Sequence, residues 1–168
     1  SDILRYADIA LYEVKLQGKH GALAYQPDFH KTKRTQLGFA LSDISDNLPA
    51  AFFIYRADKE DERILYANQE MLQLTGCIDL DDFMHFTKHQ FRNLVHPEDL
   101  AQVEESIWQQ IESGTNGYND YVKYRLAAKD GTYKTVLDYG RIVESEYYGS
   151  VFYVLVVDYG FIKAHYDD

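Results

Sequence analysis

The chain has a single cysteine, Cys77, among 168 residues. That excludes an internal disulfide and any zinc site built from several thiolates. A reducing, cytoplasmic compartment is the expectation that follows. A redox-sensing thiol needs exposure and a nearby cation, and no cation adjoins Cys77. It reads instead as a small core or turn residue. Apolar runs are also short. None approaches the ~18 residues of a membrane span, and the longest, Val151–Val157, has the length of a strand. No basic segment followed by an apolar one opens the chain, so no secretory leader is expected.

Positive charge is scarce, with 17 Lys and Arg against 27 Asp and Glu. The imbalance is local. Residues 1–47 carry six of each sign, whereas residues 48–168 carry 11 basic and 21 acidic groups. An acidic domain repels phosphate backbones, so nucleic acid is not an expected partner. The short cluster Lys31-Thr32-Lys33-Arg34 reads as a solvated helix start.

Signatures of catalysis are missing too. There is no Gly-x-Ser-x-Gly elbow, phosphate-binding loop or dinucleotide fingerprint. Glu104 and Glu105, like Asp81 and Asp82, are sequence neighbours that diverge by about 100° on a helix. Both pairs are expected to be solvated, and no catalytic residue is assigned. His85 and His89 could share a helix face near His96, but no Glu stands between them to complete a metallohydrolase motif. No metal ligands are assigned.

What the chain does have is a core. Hydrophobic residues make up 46%, with 15 Tyr and nine Phe. Three segments emerge. In residues 1–25, Ile3, Leu4, Ala7, Ala10, Leu11 and Val14 recur at helical spacing, and Gly18 offers a left-handed cap. In residues 26–47, Pro27-Asp28 starts a connector helix whose seam is Leu37, Leu41, Ile44 and Leu48. That seam suits either its own domain or a second copy in a dimer.

Residues 48–158 carry the fold signal. Ala51–Arg56 and Arg63–Ala67 read as a hairpin across the charged turn Asp58–Glu62. A short helix follows, capped by Asn68 and Gly76. Asp79–Gln90 reads as helical turns. Pro97-Glu98-Asp99 opens a longer helix with the stripe Leu100, Val103, Ile107 and Ile111. Three strands close the domain: Asp120–Ala128, Thr132–Glu144 and Tyr148–Asp158, the first two joined at Lys129-Asp130-Gly131. The pattern is α+β, a five-stranded antiparallel sheet with short helices on one face, preceded by N-terminal helices. Residues 159–168 are left as a C-terminal tail.

Alternation groups Phe53 with Tyr55, Leu137 with Tyr139, and Tyr153 with Leu155. Phe53, Tyr55, Met71, Tyr124, Leu137, Tyr139 and Tyr153 are the candidate lining of an internal pocket rich in phenol groups. The alternative is a filled core without ligand. Several strands are apolar on both faces, so the outer sheet face is expected to be covered by the connector helix or by a second subunit.

Two resemblances refine this. Ala7-Asp8-Ile9-Ala10-Leu11-Tyr12-Glu13-Val14-Lys15-Leu16-Gln17-Gly18-Lys19-His20 resembles the last helix of a diguanylate cyclase (GGDEF) domain, with Val14 and His20 departing from its usual Ala and Asn. The hairpin that names that family is absent, so the resemblance implies a remnant without cyclase activity, next to a domain in cyclic di-GMP signalling. Residues 48–158 resemble the PAS, or sensory box, family. The match rests on Ile64–Gln69 leading to Thr75-Gly76, on Leu94–Asp99, on Tyr124–Lys134, and on a last strand ending at Asp158. Thr135 stands where Trp is frequent, and Tyr159-Gly160 replaces a common Ile-Thr. The resemblance implies a signal-transduction module that binds a small ligand or partner, dimerises through the N-terminal helix and sheet face, and neighbours other signalling domains. Haem and flavin are not expected: His96 lies in a turn common without haem, and Cys77 lacks the Asn-Cys-Arg-Phe setting of the light-sensing branch. The other reading is a ligand-free structural dimerisation domain.

Overall fold

The computed structural model describes residues 38–166, and the chain divides into two compact units, 1–47 and 48–168. The cyclase-like remnant expected over residues 1–25 lies outside the described residues. The described part of the connector holds one short helix, α1 (Leu41–Asp46). Gly38 has φ of 79° and Ala40 is extended, so this helix begins at Leu41. Residues 26–37 of the expected connector, with Leu37 of its seam, lie outside the described residues; α1 carries Leu41 and Ile44 and ends before Leu48.

The second unit runs β1 (Ala51–Arg56), β2 (Ile64–Ala67), α2 (Gln69–Thr75), α3 (Leu80–Thr87), a 3-10 turn (Phe91–Leu94), α4 (Pro97–Ser113), β3 (Asn119–Ala127), β4 (Tyr133–Ser145), β5 (Gly149–Asp158) and α5 (Tyr159–Tyr166). The strands form one antiparallel sheet in the order β2-β1-β5-β4-β3. β5 pairs with β4 along its whole length and with β1 from Val151 to Val156, which joins the early hairpin to the three late strands. Within the C-terminal tail, Tyr159–Tyr166 forms α5.

Local chemistry explains the boundaries. Asn68 is fully buried and caps α2, its Oδ1 accepting from Met71 N at 3.0 Å. The same oxygen accepts from Phe52 N at 2.9 Å, and its Nδ2 donates to Ala50 O at 3.2 Å, so the cap also fastens α2 to β1. Gly76 ends α2 in the left-handed region, a conformation that costs glycine nothing. α4 starts with His96 as cap, its Nδ1 accepting from Glu98 N at 3.0 Å, and Pro97 in the first turn. Its Asp99 then reaches β3: Oδ1 accepts from Arg125 Nη2 at 2.7 Å, and Oδ2 accepts from Arg125 Nε and backbone N, both at 3.0 Å. A carboxylate gripped this way is held well below its usual range, at about 2, chiefly by those Arg125 hydrogen bonds.

The helices cover one face of the sheet. Met71, Leu72, Phe83, Phe91, Leu94, Val103 and Ile107 pack there against Phe53, Tyr55, Tyr124, Val136, Phe152 and Val154 in a single core. Cys77 is buried in that core and its thiol is pushed up by burial, in keeping with a structural role.

Candidate functional site

The inner face of the sheet is not purely apolar. β3 turns Asp120, Val122, Tyr124 and Leu126 inward, and the strand register sets Asp120 opposite Gly140 and Val122 opposite Asp138. Asp120 and Asp138 are only 1% and 2% exposed. Tyr124 donates its hydroxyl hydrogen to Asp138 Oδ2 at 2.7 Å. Burial pushes Asp138 up to about 8, with Asp120 adding to the effect, and burial alone pushes Asp120 up to about 7. Gly140 leaves the room that Asp120 uses, since a Cβ there would stand 2.6 Å from Asp120 Oδ2. Tyr55 and Tyr124 are both held well above the usual phenol range, first by burial and then by these carboxyl groups.

Four of the seven expected pocket residues meet here. Phe53, Tyr55, Met71 and Tyr124 are all buried in one core, the first, second and fourth of them against Phe91. The Tyr55 and Phe91 rings stack with centroids 4.4 Å apart and planes 8° from parallel, while Tyr124 meets Phe91 edge-on at 6.2 Å. Leu137, Tyr139 and Tyr153 do not join them. The inward positions of β4 are Val136, Asp138 and Gly140, so Leu137 and Tyr139 face outward; Tyr153 does the same on β5. The larger apolar side chains lie on the outer face and the small and acidic ones on the inner, which reverses the usual cue. Tyr139 and Tyr153 instead line a shallow outer depression of about 300 Å³ with Tyr121 and Leu155.

Other expected groups also move. Glu104 was expected to be solvated, but its Oε2 is buried beside Glu62, because α4 turns this residue toward the β1–β2 turn. Asp82 was expected to be solvated as well; it accepts from Ile78 N at 2.9 Å and pairs with Lys129. His85 sits in α3, whereas His89 lies past its end with φ of 64°, so the two share no helix face. Among the described residues no group of three or more His, Cys, Asp or Glu could hold a metal ion, and no helix is long and apolar enough to cross a membrane.

A sheet in this order, helices on one face and a polar-lined interior is a known combination, and residues 64–157 match the PAS fold family. The chain belongs to the PAS fold family. Solved structures share the fold. A PAS domain from Colwellia psychrerythraea is 17% identical with a TM-score of 0.52, covering 76% of this chain and 97% of that one. A PAS domain of a two-component sensor histidine kinase is 15% identical with a TM-score of 0.55, over 76% and 98%. An RsLOV d2 variant is 18% identical with a TM-score of 0.54, over 70% of this chain; the chain spans 63% of that structure's length. No curated protein sequence matches. In this PAS domain, Leu94–Asp99 is a structural hook through the Asp99–Arg125 pair. The exit is also defined: Asp158 Oδ1 accepts from Phe161 N at 3.2 Å, so the last strand passes directly into α5 despite the Tyr159-Gly160 departure.

Proposed function

We infer that this PAS domain is a non-enzymatic sensory and regulatory module of a bacterial-type cyclic di-GMP signalling protein. It takes a small polar ligand or a partner as input and relays the signal through its helices and a homodimer contact. The observation that carries the reading is the Tyr124–Asp138–Asp120 set. Buried carboxyl groups cost stability unless something compensates them, and their pKa values near neutrality are the kind of perturbation that clusters at functional sites. The resemblance of Ala7–His20 to the end of a cyclase domain supports a place beside such a domain. The exposed outer-face side chains Tyr121, Tyr139, Tyr153 and Leu155 support a contact between copies.

The close Tyr55–Phe91 stack favours a second reading, a ligand-free dimerisation module with a filled interior. Native mass spectrometry of the purified chain separates the two. A retained small molecule supports the sensory reading, and a ligand-free dimer supports the structural one. A ligand-free monomer at high concentration would remove both.

A further inference from the structure

Asp120 is 1% exposed, yet its carboxyl accepts no hydrogen bond and joins no ion pair, and burial alone acts on it. Buried polar groups are nearly always satisfied, so a carboxyl left without a partner needs a reason. It lies over Gly140 on the inner sheet face, where a Cβ on that glycine would meet both of its oxygens. Asp138 stands two residues before Gly140 on the same face of β4; Tyr124 engages its Oδ2, and its Oδ1 is open. No cation acts on either carboxyl. Among the described residues no Lys, Arg or His side chain is buried, so nothing in the interior balances the pair.

The open acceptors match a particular donor. They are the Asp120 carboxyl, Asp138 Oδ1 and the buried Tyr55 hydroxyl, which makes no hydrogen bond of its own and feels both aspartates. A primary ammonium brings three N–H donors and the missing positive charge. The surroundings suit an apolar body. Phe91 stacks on Tyr55 at 4.4 Å and meets Tyr124 edge-on, and Phe152 stands 5.2 Å from Tyr55. An apolar wall with a few convergent polar groups is the usual make-up of a small-molecule site. Val122 and Ile142, which flank Asp120 and Gly140 on the same face, are only half-buried, so the helices do not seal this end of the sheet.

We propose that the inner sheet face binds a small primary amine with an apolar body, its ammonium bonded to Asp120, Asp138 and Tyr55. The proposal rests on the sensory reading above and names the chemical class of its input. An anion of the same shape would face two carboxyl groups, and a neutral alcohol would leave their charge unbalanced, so charge decides the ligand. The ammonium takes the place of protons that burial retains on carboxyls of pKa about 7 and 8, so binding tightens as pH rises. The other titratable groups here are Tyr55 and Tyr124, which stay protonated, and Glu62 and Glu104, which act on Tyr55.

The test is a calorimetric titration of the whole chain in phosphate buffer at pH 6 and pH 8.5. The probes are 2-phenylethylamine and isobutylamine, with phenylacetate and 2-phenylethanol as controls. The expected result is saturable binding of an amine at one site per chain, tighter by about tenfold or more at pH 8.5, with no response to the acid or the alcohol. Asp120→Asn, which removes a buried charge and should fold, weakens binding about tenfold or more and flattens its rise with pH. Glu146→Gln, exposed in the β4–β5 turn, leaves it unchanged. Absence of saturable binding by both amines at both pH values overturns the proposal. So does equal binding of the acid or the alcohol, or an Asp120→Asn chain that binds as tightly as the parent. Native mass spectrometry then separates the two failures: a retained molecule without an amine leaves the sensory reading standing, whereas a ligand-free dimer removes that reading as well.

Discussion

Gly140 and Asp120 face each other across the β3–β4 pair so closely that a methyl group on Gly140 would come within 2.6 Å of the Asp120 carboxylate. Gly140→Ala should therefore destabilise the domain by about 1–3 kcal/mol, as an over-packed interior does. Most of that cost should vanish in an Asp120→Ala background. Urea denaturation of the two single variants and the double variant measures the coupling; purely additive effects would show that the contact does not matter.

Asp120, Asp138 and Glu62 have folded pKa values of about 7, 8 and 8, all above the ordinary carboxylate range. The folded chain thus keeps protons that the unfolded chain releases above pH ~4. Stability is fully present below that pH and is lost as pH rises through 7 to 8. For Asp120 alone the loss by pH 9 is on the order of 4 kcal/mol. The melting temperature should be higher at pH 5 than at pH 8.5, and Asp120→Asn should flatten the slope by raising the alkaline value. A parent chain that melts higher at pH 8.5 than at pH 5 would contradict this.

Asp99 has the opposite sign. Its pKa is lowered to about 2, so its contribution is present above the ordinary carboxylate pKa and is lost as pH falls toward 2. Asp99→Asn should lower the melting temperature at pH 5–7 and leave a smaller further loss on going to pH 2. Thermal melts across that range, read by circular dichroism, check both parts.

Asn68 holds Phe52, Ala50 and Met71 through one fully buried side chain. Asn68→Ala should cost about 3 kcal/mol, from the lost cap and the backbone groups left unpaired. Amide exchange should rise at Phe52 and Met71 first. A variant within the error of the parent by urea denaturation would show that backbone rearrangement replaces the cap.

The strands were legible because their signals were local and repeated: the hairpin at Ala51–Ala67, the Asp130-Gly131 turn and the alternation of the last three strands all lie within a residue or two of their expected places. The helix caps at Asn68 and Gly76 were legible for the same reason. The inward direction of the expected lining residues was legible in part. Phe53, Tyr55, Met71 and Tyr124 could be placed because inner and outer positions differ on β1 and β3. On β4 the run Val136-Leu137-Asp138-Tyr139-Gly140 offers large apolar groups on the outside and an acid and a glycine on the inside, so hydrophobicity pointed the wrong way. Burial of Asp120, Asp138, Glu62 and the Glu104 Oε2 atom depends on which distant segments meet, and no local pattern encodes that.

The passage from β5 into α5 contains no loop: Asp158 ends the strand and caps the helix. Such a joint has no slack in which to dissipate movement. A small slide or twist of the strand becomes a turn of the helix axis, and anything joined beyond Tyr166 would be carried round with it. The angular phase of such a segment would then depend on helix length, each added residue rotating it by about 100° and seven restoring it nearly to its starting direction.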